Sequence, residues 1–348
     1  MTLLGYASKK SCVSPGSIYD SFVGGSLIPY RPAEFPPEQM LRCASCNNRM
    51  CFVAQFYCPL SESEYDRSIY LFVCIRQHCQ AQSFNWIALR SQTENQIMPT
   101  VTQNEDTCWN LGDDEAELET AGVTEAETTP LRQTIVNSEQ SIPSNENSFP
   151  GPFVHSFVDV FEEKDHFGSI DDPESSTDHP TFASWMKVYE IEKEFVDEED
   201  NVTENSFSGI MQTYMSSREK HGCEIVRYSW MGFPIFNGLP PTELEQCSKC
   251  PRCQSDRVFE LQLFPTLNNS LKLDSSKFTV AEELLPYDLC DESEVDLDWP
   301  LAFTTVLVFS CSASCWSDSD NWVQECVVVQ TDNNRTSIHD SEKRFICP

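Results

Sequence analysis

The sequence predicts a mainly β protein with added helices (α+β), built as two duplicated zinc-ribbon-like β modules joined by a disordered acidic linker. Three observations predict it. A pattern of cysteine knuckle, strand-like run, loop, strand-like run and second cysteine pair occurs twice. A long stretch rich in Thr, Glu, Asn, Ser and Pro separates the two copies. Apolar residues make up 40% of the chain, with 22 Phe and 7 Trp, which is enough for packed cores and excludes a wholly disordered protein. At 348 residues there is room for about two domains.

The first module covers residues 1–91. It opens on Gly- and Pro-rich turns ("SFVGGSLIPYRPAEFPP"), then the knuckle "CASC", the strand-like "MCFVAQFYCPL" and a second such run, "SIYLFVC". Residues 92–180 read as acidic, largely disordered linker on composition alone. Within them "PGPFVHSFVDVFEE" is richer in Phe and Val and is expected to dock onto a folded part. The second module covers 181–331 and begins with two amphipathic helices. In "TFASWMKVYEIEKEFV" Phe182, Trp185, Met186, Tyr189 and Val196 recur at helical spacing. In "SFSGIMQTYMSS" Phe207, Ile210, Met211, Tyr214 and Met215 complete the i, i+3, i+4, i+7, i+8 pattern. The strand-like "RVFELQLFPTL", "AFTTVLVFSC" and "WVQECVVVQ" follow, and residues 332–348 read as a flexible tail.

The repeat assigns the cysteines. With Cys43-x2-Cys46 placed over Cys250-x2-Cys253, Phe52 falls on Phe259 and Gln55 on Gln262. "YLFVC", ending at Cys74, parallels "LVFSC", ending at Cys311, and each is followed by a partner, Cys79 or Cys315. A C-x2-C turn puts two thiolates on one side of a tight loop, and a hairpin-like return brings two more to face them. Four thiolates satisfy a tetrahedral Zn²⁺ at about 2.3 Å. The expectation is therefore two structural zinc ions per chain, on Cys43, Cys46, Cys74, Cys79 and on Cys250, Cys253, Cys311, Cys315. His78 is the alternative to Cys79 as a ligand. Cys51 and Cys58 read as core residues, and Cys247 is left outside the second site. Buried free thiols packed as small apolar side chains are the alternative to metal at both sites.

Charge narrows the function. The formal net charge is −32, and residues 104–205 alone carry 27 acidic against 4 basic residues. A field of that sign repels phosphate backbones and attracts basic partners, so direct nucleic-acid binding is not expected. No apolar run approaches the roughly 20 residues of a membrane helix, and the N-terminus has no secretory pattern. The 17 cysteines are then expected to stay reduced or bind metal in the cytoplasm, with possible shuttling to the nucleus. The sequons at Asn201, Asn268 and Asn334 carry no meaning there. No HExxH, phosphate loop, dinucleotide fingerprint or nucleophile elbow is present, and the acidic "VDEEDNVTE" lacks EF-hand spacing, so an enzyme is not expected.

Particular segments resemble a known family. "LLGY", "FVGG", "CASC", "QFYCPL" and "YLFVC" are similar to the N-terminal half of the programmed cell death protein 2 family. "EIVRY", "GFPIF", "CPRCQSDRVFELQLFPTL", "TTVLVFSCSASCW" and "ECVVVQ" are similar to its C-terminal domain. No finger of closely spaced Cys and His lies between the halves, which points to the 2-like branch. The resemblance implies a dedicated chaperone or adaptor in ribosome biogenesis. Its client would be a newly made basic small-subunit ribosomal protein of the universal S-five family, delivered to pre-40S particles, with a link to the nuclear export machinery. The alternative function is a nuclear, zinc-organised protein-interaction scaffold in transcription or proliferation control. Extended client segments are expected along a sheet edge or between the two modules, near Trp86, Trp230, Phe233 and Trp316.

Overall fold

Alternation of large apolar side chains decides which face of each strand is which. In the computed structural model Ile69, Leu71 and Val73 join one buried cluster, while the intervening Tyr70, Phe72 and Cys74 join another. Val306 and Val308 are likewise separated from Leu307 and Phe309. The first cluster also takes in Phe56, Val158, Val226, Leu261 and Val327, so it draws on both ends of the chain at once. That is possible because the strands close on themselves. The structure describes residues 1–8, 16–61, 63–94, 149, 151–163, 223–236, 241–274 and 301–331.

The strands are β1 (Leu3–Ala7), β2 (Phe22–Val23), β3 (Cys51–Tyr57), β4 (Tyr65–Val73), β5 (Trp86–Glu94), β6 (Ser156–Glu162), β7 (Glu224–Tyr228), β8 (Arg257–Leu263), β9 (Thr305–Cys311) and β10 (Val323–Gln330). They form one closed antiparallel barrel in the order β1-β6-β2-β3-β4-β5-β10-β9-β8-β7. The expected pair of separate zinc-ribbon modules with added helices is therefore corrected. The halves share one barrel, because β1 pairs with β7 and β5 pairs with β10 across two seams. Among the described residues the only α-helix is α1 (Gln77–Gln80), accompanied by short 3-10 turns. The two helices expected at 181–196 and 206–217, and the tail at 332–348, lie outside the described residues.

Closure has a physical motive. Each half alone would leave a row of unpaired N–H and C=O groups on its outer strands, and pairing the halves satisfies them. Among the described residues it also pairs the seam strands of the two halves, where an extended partner was expected to lie. The Phe- and Val-rich segment does dock: its residues 156–162 become β6, between β1 and β2. Phe149, just upstream, is buried beside Phe35 and Phe72, with the Arg49 guanidinium 4.1 Å from its ring centre. No described helix is long and apolar enough to cross a membrane.

Two β-bulges sit at matching places, between Phe52 and Ala54 in β3 and between Phe259 and Leu261 in β8. A bulge inserts one residue and re-aims side chains. In β3 the inserted residue is Val53, which joins the interior cluster. In β8 it is Glu260, fully buried and paired with the fully buried Arg67 of β4. A second buried pair, Arg90 of β5 with Glu325 of β10 (2.8 Å), spans the seam between the halves.

Candidate metal centres

Each C-x2-C knuckle is shaped by its own backbone. Asn47 N–H donates back to the Cys43 carbonyl (2.8 Å) and Gln254 N–H to the Cys250 carbonyl (2.9 Å). Asn47 and Gln254 both sit in the left-handed region, at φ 60° and 62°, which turns the chain back on itself. Below each knuckle a short bridge, Arg42 to Arg49 and Lys249 to Asp256, leads into β3 or β8. The hairpin partner β4 ends at Val73, one residue before Cys74, and β9 ends at Cys311; α1 then supplies Cys79 and the turn after β9 supplies Cys315.

All eight predicted residues converge, as two sets of four. The sulfurs of Cys43, Cys46, Cys74 and Cys79 lie within 4.8 Å of one another, as do those of Cys250, Cys253, Cys311 and Cys315. Sulfur separations are 3.6 Å for Cys46–Cys74, 3.7 Å for Cys250–Cys315 and 3.4 Å for Cys253–Cys311. A tetrahedron of metal–sulfur bonds of about 2.3 Å has edges of about 3.8 Å, so the donors fit one metal ion per cluster. His78 is exposed and stands outside the first cluster. Burial pushes the thiol of Cys79 up to about 12 and raises those of Cys74 and Cys315. Hydrogen bonds from Ser255 hold the exposed Cys253 at about 6. A bound cation would displace the remaining protons, since four close thiolates repel one another without one.

The surroundings of the two clusters differ. The first is organised by Asn85, which spacing did not single out. Its Oδ1 accepts the Cys43 thiol (3.1 Å) and the Ser45 N–H (3.3 Å). Its Nδ2 donates to Ser45 Oγ (2.7 Å) and the Cys79 carbonyl (2.9 Å), and its own carbonyl accepts Cys74 N–H (3.1 Å). The second cluster is tied to the seam. Arg90 Nη2 donates to the Cys315 carbonyl (2.8 Å), and Glu325 Oε2 accepts Cys311 N–H (3.1 Å). It is also the more open cluster, with Cys253 exposed and Cys315 half-buried, whereas three of the four thiols in the first are buried.

The remaining candidates divide. Cys51 and Cys58 are buried free thiols, as the core reading expects. Cys247 is not a bystander: it forms a disulfide with Cys326. Trp86 is buried, donates to the Gln80 carbonyl (2.8 Å) and packs edge-on against Phe303, so it belongs to the core. Trp230 and Trp316 are half-buried and lie 5.1 Å and 5.6 Å from the guanidiniums of Arg67 and Arg90. Phe233 is exposed. Gln55 and Gln262 have equivalent tasks, accepting the N–H of Ile28 (3.2 Å) and of Ile235 (3.0 Å) from the segments that cover the barrel's outside.

These features define a class: a closed antiparallel barrel carrying two four-cysteine clusters that could each hold a metal ion. Residues 2–104 match the N-terminal domain of programmed cell death protein 2, and residues 209–331 match its C-terminal domain. The chain belongs to the programmed cell death protein 2 family. It is similar to proteins named "Programmed cell death protein 2-like". The mouse protein (Mus musculus) is 26% identical over 93% of each chain. The chicken protein (Gallus gallus) is 26% identical over 84% of this chain and 85% of its own. The human protein (Homo sapiens) is 24% identical over 92% and 93%. No solved structure matches the chain.

Proposed function

We propose that this chain is a zinc-stabilised, non-catalytic chaperone. Its client would be a newly made, basic small-subunit ribosomal protein of the universal S-five family, and its task delivery of that client to pre-40S particles. The observation that carries the reading is the net charge of −32, concentrated in residues 104–205, on a member of this family. A ribosomal protein away from RNA is a dense positive charge. An acidic holder occupies those cations until RNA replaces it, and opposite charge speeds the first encounter.

Zinc is the metal that all-cysteine tetrahedral clusters favour, soft thiolates being matched to it. With four protein ligands per ion no coordination position stays open for a substrate, which supports a structural rather than catalytic role. Capture in the cytoplasm followed by passage to the nucleus fits such a task. The test is affinity capture of the full chain from cells, with and without RNA digestion, read by mass spectrometry. One stoichiometric basic ribosomal protein retained after digestion supports the proposal. Several chromatin proteins with no ribosomal protein would replace it with the scaffold reading. A shift of naked RNA at physiological salt would overturn the charge argument beneath it.

A further inference from the structure

The disulfide between Cys247 and Cys326 closes a span of 79 residues, with the two Cα atoms 5.7 Å apart. It lies outside the second cluster, whose four cysteines are all free thiols. Eight convergent thiols and a disulfide in one chain make opposite demands. Thiols kept for metal persist where the surroundings are reducing, and there a disulfide is opened and closed rather than permanent. We propose that Cys247 and Cys326 form a reversible thiol–disulfide pair, an oxidative modification site that clasps the 3-10 turn Thr242–Cys247 to β10.

Burial sets the order of the chemistry. Cys247 is 3% exposed and packs with Leu244, Phe259, Phe309 and Val328, whereas Cys326 sits half-buried at the margin of that cluster. A small disulfide such as oxidised glutathione therefore meets Cys326 first. The Cys326 thiolate attacks one glutathione sulfur, the glutathione S–S bond breaks, and one glutathione thiolate leaves. The Cys247 thiolate then attacks the Cys326 sulfur, expels the second glutathione and completes the bond. Two protein thiols lose two electrons and two protons, and one glutathione disulfide becomes two glutathione thiols. Reduction runs back through the same mixed disulfide on Cys326.

The clasp adds a covalent tie to a turn that is otherwise anchored through the buried Leu244. Among the described residues the outer apolar cluster of the second half has seven buried members, against thirteen in its counterpart on the first half. Opening the bond thus loosens the turn over Phe259 and Phe309 and leaves the two clusters of four thiols intact.

The experiment equilibrates zinc-loaded full-length protein in glutathione buffers running from fully reduced to fully oxidised. Acid quenching, differential alkylation and site-resolved peptide mass spectrometry follow. Cys247 and Cys326 are expected to change together as one two-electron transition, while the eight cluster cysteines stay constant. C247S is expected to carry glutathione on Cys326, and amide exchange in residues 242–247 should be at least about tenfold slower in the oxidised protein. The proposal is overturned if the pair stays crosslinked in fully reduced glutathione, or if both thiols stay free in fully oxidised glutathione. It is equally overturned if Cys247 is found joined to Cys250 or Cys253. The wild-type measurement decides the matter even where C247S fails to fold.

Discussion

Replacing Glu260 with valine tests the ion pair at the heart of the barrel. Arg67 and Glu260 are both fully buried and joined through two hydrogen bonds, Nη1 to Oε1 and Nη2 to Oε2, the latter at 2.9 Å. Arg67 also donates to the Cys58 carbonyl at 3.0 Å and lies beside the Tyr228 hydroxyl, and its Nε has no protein partner. In E260V a guanidinium would therefore sit in the interior with only neutral neighbours, the Cys58 carbonyl, the Tyr228 hydroxyl and the Trp230 ring. Breaking a buried pair from one side costs about 3–5 kcal/mol, a large part of the roughly 5–15 kcal/mol that holds a domain folded. Valine adds no steric problem of its own, since Val53 occupies the matching bulge in β3. R67M/E260V removes both charges and is expected to lie within about 1 kcal/mol of the wild type or above it. The assay is urea unfolding of the metal-loaded protein, followed by tryptophan fluorescence, for both single variants and the double. A loss below about 1 kcal/mol in E260V, or a double variant as unstable as the two singles added, would refute the reasoning.

Elemental analysis of native protein is expected to find two zinc ions per chain, falling to one in C250S; zero metal with all eight cluster thiols reactive would remove the metal-centre reading. N85A should weaken metal binding at the first cluster by about 10- to 100-fold and leave the second unchanged, measured by competition with a chromophoric chelator. Gly24 has φ +67°, and a Cβ there would strike the Val154 carbonyl, so G24A should cost more than about 1 kcal/mol in the same urea assay. Burial pushes the Cys51 thiol up to about 12, so at pH 8 it should resist iodoacetamide in the native state and react only on unfolding. Because an unfolded thiol ionises near 8.5, the stabilisation from this burial is full below that pH and declines as pH rises toward 12, which pH-dependent unfolding will show.

The strands most legible in the sequence were those with dense β-branched and aromatic residues: β3, β4, β8, β9 and β10. The cluster cysteines were legible because ligand spacing is local, and matched strands bring the second pairs round. Barrel closure was not legible. The five-residue β1 and β7 are too short to carry an alternation signal, and their pairing joins Leu3 to Tyr228 with nothing local to announce it. The segment that becomes β6 stands out by its Phe and Val, but nothing in its acidic surroundings announces a strand or the partners β1 and β2. Long-range side-chain pairs share the difficulty: Arg67 and Glu260 are 193 residues apart, and Arg90 and Glu325 are 235 apart. Asn85 reads as an ordinary loop residue until its four hydrogen-bond partners are seen together.

The seating of β6 bears on how the chain responds to cleavage. β5 ends at Glu94 and β6 begins at Ser156, and β6 ends at Glu162 while β7 begins at Glu224. The strands on the two sides of each interval belong to the same closed barrel, with β6 paired to β1 and β2, β7 to β1, and β5 to β10. A protease that cuts the chain between β5 and β6, or between β6 and β7, leaves both pieces gripped by interstrand hydrogen bonds. The nicked particle should elute from a sizing column unchanged and part into two fragments only in denaturant.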